Sequence, residues 1–184
     1  CKKDGYSCLM RAIWENKINS VKYLIQQKDI DVNLVENQGF SALMLCLLRK
    51  NNEIAKHLLN KVSNIDINTQ SKTGYSALML AMGHGVVDIV RLLLKYPKID
   101  VNLKAKNGDT ALCCGIKNVN HKAVLLLLKK EEINVKSSFK LSIQKNVCWE
   151  VVLNHKNFNL AETFILNGKI LTYGYYFLQI DITY

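Results

Sequence analysis

Apolar residues in this chain fall into pairs of short runs separated by polar breaks. After Ser76, the residues Leu78, Ala81 and Met82 are spaced at helical intervals. A polar break follows at His84-Gly85, and then a second run of Ile89, Val90, Leu92, Leu93 and Leu94. The first run predicts a short amphipathic helix and the second predicts a partner helix. Equivalents of the second run are Val21, Leu24 and Ile25; Ile54, Leu58 and Leu59; and Val124, Leu127 and Leu128. In the last of these, six consecutive apolar residues from Ala123 to Leu128 predict near-complete burial. Pro97 is expected to stop the third of these helices.

One short phrase introduces each pair of runs. It reads GYSCLMRA at Gly5, GFSALMLC at Gly39, GYSALMLA at Gly74 and GDTALCCG at Gly108, with the glycines 34, 35 and 34 residues apart. Ser7, Ser41, Ser76 and Thr110 stand just before the first helix, where a hydroxyl accepts a bond from an orphan N–H of the first turn. The preceding glycine supplies the backbone freedom to turn into that cap. Each second run is followed by IDVN at Ile30, IDIN at Ile65, IDVN at Ile99 or a worn INVK at Ile133. Asp31, Asp66 and Asp100 are expected to hold these loops by accepting backbone N–H bonds. Ordering a repeat costs on the order of 1–2 kcal/mol per residue in chain entropy. A lone helix pair removes too little surface from water to offset that, so the copies are expected to stack into a solenoid.

Gly-x-Ser/Thr-Ala-Leu-Met followed by Asp-Val-Asn, at a spacing near 33, resembles the ankyrin repeat. The resemblance implies an all-α fold: stacked antiparallel helix pairs with β-hairpin-like loops, forming a curved right-handed solenoid. It covers four repeats over residues 1–136, at about 1–33, 34–68, 69–102 and 103–136. The chain departs from the family in three ways. Ala42, Ala77, Ala111 or Cys8 replaces the proline after the cap, Met10, Met44, Met79 or Cys113 replaces the histidine, and the glycine ending the second helix is missing. In ankyrin-like solenoids the loop tips and first helices line a concave groove that binds partner proteins. Carried onto this sequence, that implies tip contacts from Tyr6, Phe40, Lys72, Tyr75, Lys106 and Asp109. On the first helices it implies Trp14, Leu48, Arg49, His84 and Lys117. Tyr6, Phe40 and Tyr75 form a column of one aromatic per repeat, which Asp109 breaks. These rings read either as binding anchors or as packing within the stack.

Composition changes this picture little. Hydrophobic residues make up 49% and charged residues 22%, ordinary for a folded chain. No apolar run approaches the roughly 20 residues of a membrane-spanning helix. The chain begins at Cys1 rather than a methionine, which suggests a piece of a longer protein. The six cysteines form no CxxC pair, and Cys8, Cys46 and Cys113 fall in the repeated phrase where other copies carry Ala or Met. They read as small core residues in a reducing compartment, cytoplasmic or nuclear. The net charge of +10 comes from scattered lysines, with only Arg11, Arg49 and Arg91 as arginines, which disfavours specific nucleic-acid reading.

No phosphate loop, HExxH spacing or nucleophile–base signature appears, so no catalytic residue, metal site or cofactor is assigned. The expected function is a non-enzymatic protein-interaction module, monomeric, within a larger adaptor, regulatory or effector protein. Its lysine-rich tips favour an acidic protein partner. The competing readings are polyanion binding by the basic surface, of nucleic acid or acidic membrane, and a substrate-docking arm for an enzyme encoded in the flanks. Residues 137–167 are expected to form a degenerate fifth repeat. The aromatic segment 168–184 either caps the solenoid or leads to another domain.

Overall fold

A computed structural model describes residues 4–134 of the chain. The predicted degenerate repeat and aromatic tail lie outside the described residues. Eight helices follow in order: α1 (Cys8–Trp14), α2 (Ile18–Leu24), α3 (Ala42–Leu48), α4 (Asn52–Lys61), α5 (Ala77–His84), α6 (Val87–Leu93), α7 (Ala111–Lys117) and α8 (His121–Leu128). They pair as α1–α2, α3–α4, α5–α6 and α7–α8. First helices stack on first helices and second helices on second helices, giving two parallel rows.

Each first helix starts on its predicted hydroxyl cap. Ser7 accepts from the Met10 N–H at 3.2 Å, Ser41 from Met44 at 3.4 Å, Ser76 from Met79 at 3.4 Å and Thr110 from Cys113 at 3.3 Å. Each helix also ends alike, with one left-handed residue: Asn16 (φ 55°), Lys50 (φ 58°), Gly85 (φ 66°) or Val119 (φ 56°). The next residue's N–H then reaches back five places, as from Asn51 to Cys46 at 2.8 Å, which satisfies a helix-end carbonyl and reverses the chain. Val119 is the costly member of that set, because a β-branched residue is strained in this conformation.

The first helices α3 and α7 are not amphipathic as the spacing predicts. All of α3 except Leu48 is buried, and in α7 only Lys117 is exposed. A helix flanked by the neighbouring first helices, with its own partner behind it, has almost no side left for water. The opposite correction applies to α8, where Leu125, Leu126 and Leu128 are only partly buried. Pro97 does not stop α6, which already ends at Leu93, four residues before it. Cys46, Cys113 and Cys114 are buried as expected, but Cys8 is exposed. Its counterparts Ala42, Ala77 and Ala111 each have a helix pair before them, whereas Cys8 has none among the described residues.

The loops form tight hairpins with isolated antiparallel bridges at Val35–Ser41 and Gln70–Ser76. Their tips are joined to one another by backbone bonds: Lys72 N–H to Gln38 at 2.7 Å and Lys106 N–H to Thr73 at 3.0 Å. The phrase glycine therefore does more than turn into a cap. Gly74 sits at φ +82°, and a Cβ there would lie 2.8 Å from the Lys106 nitrogen of the next tip.

Asp31, Asp66 and Asp100 accept backbone N–H bonds two residues on, at 2.9, 3.0 and 2.8 Å, as predicted. The asparagine ending each motif goes further and crosses to the next loop. Asn68 donates to the Lys98 carbonyl at 2.6 Å and accepts from the Asp100 N–H at 2.9 Å. Asn33 and Asn102 do the same with Asn64 and Asp66, and with Glu132 and Asn134. Three identical side chains thus tie four loops into a ladder.

Candidate partner-binding surface

Hairpin tips and the ends of first helices come together along one edge of the described body. Their residues divide into two clusters of different chemistry.

At the first two pairs the surface is aromatic and cationic. Trp14 and Leu48 are the last residues of α1 and α3, and remain 40% and 39% exposed. The Tyr6 and Trp14 rings meet edge to face, with centroids 5.8 Å apart at 85°. The Arg49 guanidinium lies 4.4 Å from the Trp14 centroid, and the Arg11 guanidinium lies 5.0 Å from that of Tyr6. Such contacts between cation and ring are worth about 0.5–1 kcal/mol at exposed sites. Arg11 is itself oriented by Asp4 at 2.5 Å. The N–H of Tyr6 and the Arg11 guanidinium hold the Asp4 carboxyl below the usual carboxylate range. Burial, and then the Glu36 carboxylate, push the Tyr6 phenol upward.

At the last two pairs the surface is polar and already paired. Asp109 is only 4% exposed. It receives Lys117 Nζ at 2.5 Å, Asn107 Nδ2 at 2.9 Å and the Tyr75 hydroxyl at 3.5 Å. Asn107 also donates to the Tyr75 oxygen at 3.2 Å. The hydrogen bond that Lys117 donates to the Asp109 carboxylate raises the ammonium above the ordinary lysine value. Asp109 is therefore not a tip residue open to a partner. It is a buried hub that fixes Tyr75 and draws Lys117 inward.

The remaining candidates lie between or beside these clusters. Lys72, Lys106 and His84 are exposed, and Phe40 and Tyr75 are partly buried. No ring contact links Tyr6, Phe40 and Tyr75 to one another among the described residues. The column is thus a register of positions, not a stack. Sequence reasoning passed over Arg11, which could have been noticed because its counterparts Leu45, Leu80 and Cys114 are all apolar. Asn107 is a tip position by register. No group of three or more His, Cys, Asp or Glu side chains that could hold a metal occurs among the described residues. No helix among them is long and apolar enough to cross a membrane.

Two rows of helices, the first row hydroxyl-capped and joined by hydrogen-bonded tips, define a tandem-repeat solenoid. The family model for ankyrin repeats (3 copies) matches residues 1–71 and 43–137, and the chain belongs to the ankyrin repeat family. Such repeats generally serve as protein–protein interaction modules, and the fold is typically non-enzymatic. Among solved structures, the chain resembles the crystal structure of EF0377, an ankyrin repeat protein, with a TM-score of 0.61 and 26% identity. That likeness covers 70% of this chain and 66% of the other, so this chain spans just under two thirds of its length. No curated protein matches the sequence.

Proposed function

We propose that this chain is a non-enzymatic interaction module of a larger adaptor, regulatory or effector protein, binding an acidic partner surface along its tips and first-helix ends. The observation that carries the reading is Trp14, exposed yet in contact with both the Tyr6 ring and the Arg49 guanidinium. Trp, Tyr and Arg are the residues in which interface energy concentrates. A ring already held in place loses little freedom on contact. Arg49 forms no salt bridge among the described residues, so its charge remains open to a partner carboxylate. Leu48 extends the apolar centre, Lys72 and Lys106 supply a cationic rim that steers association, and His84 adds a polar contact. Phe40 and Tyr75 flank this anchor, and Asp109 and Lys117 act behind it by fixing Tyr75.

The test compares wild type with a Trp14→Ser/Arg49→Ser variant of matched melting temperature. Both are used to capture partners from nuclease-treated lysate near 0.15 M salt, and the captured protein is then purified and titrated. The reading expects affinity to fall by about 100-fold, as loss of two anchors implies. Equal affinity would remove the anchor. Capture that occurs only when nuclease is omitted would point to polyanion binding by the lysines.

A further inference from the structure

The second helices form a row of their own, and successive steps along it serve as controls for one another. Between α4 and α6, the Tyr96 hydroxyl donates to the Leu59 carbonyl at 2.6 Å, close to the ends of both helices. The side chain bridges the seam, and burial pushes its phenol upward. One step along, between α6 and α8, the corresponding residue is Lys130. Here lies an open groove of about 330 Å³, lined by Arg91 of α6 with Leu94 and Lys95 just past its end, and by Leu126 of α8 with Lys129 and Lys130 just past its end.

The lining is two leucines and four cations, with no acid among them. None of the four cations makes an ion pair among the described residues. The acid on α6, Asp88, is held by Lys56 at 2.9 Å, and the Arg91 charge acts on it as well. Cations near a helix C-terminus are favoured by the helix dipole, and that effect is common to all four second helices. The accumulation is not. Where α6 and α8 carry Lys95 and Lys129, α2 and α4 carry Gln26 and Asn60. Lys95, Lys129 and Lys130 make no ion pair among the described residues, so the groove keeps an excess of positive charge over its apolar floor.

We propose that this groove docks a peptide segment of a partner protein in which one apolar side chain is flanked by carboxylates. The volume is at the small end for a ligand site and suits one side chain with its flanks. Leu94 and Leu126 receive the apolar group, and the cationic rim pairs with the acids on either side. The groove is on the second-helix row, so it stands independently of the surface formed by the tips and first helices.

The full chain is titrated by fluorescence anisotropy with a labelled acidic peptide carrying a central leucine. Two controls are the same peptide with serine in place of leucine, and a single-stranded oligonucleotide of equal charge. Lys130→Tyr copies the Tyr96 arrangement and should close the groove. Lys95→Gln/Lys129→Gln removes two exposed charges, and keeps the test decisive if the tyrosine variant is unstable. The leucine peptide should bind, and either variant should weaken it by about tenfold. Trp14→Ser/Arg49→Ser should leave it unchanged. The proposal fails if the leucine peptide does not bind, if the serine peptide or the oligonucleotide binds as tightly, or if a folded Lys130→Tyr protein binds like wild type.

Discussion

The asparagine ladder makes the sharpest prediction for Asn68, which stands in its middle. Replacement by alanine removes the bond to the Lys98 carbonyl (2.6 Å) and the bond from the Asp100 N–H (2.9 Å). A neutral intramolecular hydrogen bond contributes about 1 kcal/mol net. Lys98 and Asp100 are exposed, so water can take over their freed backbone groups and no full desolvation penalty applies. The expected loss for Asn68→Ala is therefore about 1–2 kcal/mol, or roughly 2–8 °C in Tm for a chain of this size. Asn68→Asp keeps the acceptor but loses the donor, and sets an anion against the Lys98 carbonyl. At neutral pH it should cost at least as much as alanine. Below about pH 4 the protonated carboxyl donates again, and part of the loss should return. Urea unfolding of the full chain reads both effects. Asn64→Ala is the control, because only the backbone carbonyl of Asn64 enters the ladder, and it should stay within about 0.5 kcal/mol of wild type. If Asn68→Ala matches that control, or the aspartate variant matches wild type at pH 7, the ladder does not hold the repeats together.

Two further outcomes follow from the polar cluster and the thiols. Because Asp109 raises the Lys117 ammonium above the ordinary value of 10.5, the pair's contribution is fully present below that value. It should be lost as pH climbs through the higher folded value. Melting curves between about pH 9 and 12 should then fall more steeply for wild type than for Lys117→Gln, and parallel curves would refute the coupling. Cys8 is exposed, while burial drives Cys46 upward and pushes Cys114 up to about 12. Iodoacetamide labelling read by mass spectrometry should modify Cys8 at neutral pH and spare Cys46 and Cys114 until denaturant is added. Early labelling of Cys46 would mean the α3 core opens locally.

Much of the fold was legible because its decisive bonds are short in sequence. Ser41 reaches the Met44 N–H three residues on, and Asp66 reaches the Asn68 N–H two residues on. Both patterns can be read from residue type and spacing alone. The 34–35-residue period then required stacking, since no single helix pair could bury its own apolar face. The candidate surface was less legible. Spacing puts Tyr6, Phe40 and Tyr75 at one position of successive repeats, but it does not say which rings touch.

What the tertiary structure decided is everything that depends on residues far apart in the chain. Asn68 pairs with a loop 30 to 32 residues away, and a motif asparagine looks the same whether or not it reaches that far. Asp109 occupies a tip position by register, yet Tyr75, Asn107 and Lys117 converge to bury it. Cys8 and Ala42 occupy the same place in the phrase, and only the helix pair before Ala42 makes one buried and the other exposed. The groove between α6 and α8 exists because Lys130 does not bridge the seam that Tyr96 bridges one step earlier. A repeating sequence determines the unit and its period, because those rest on local bonds. The exposure and partners of each copy's side chains are set by its neighbours in the stack.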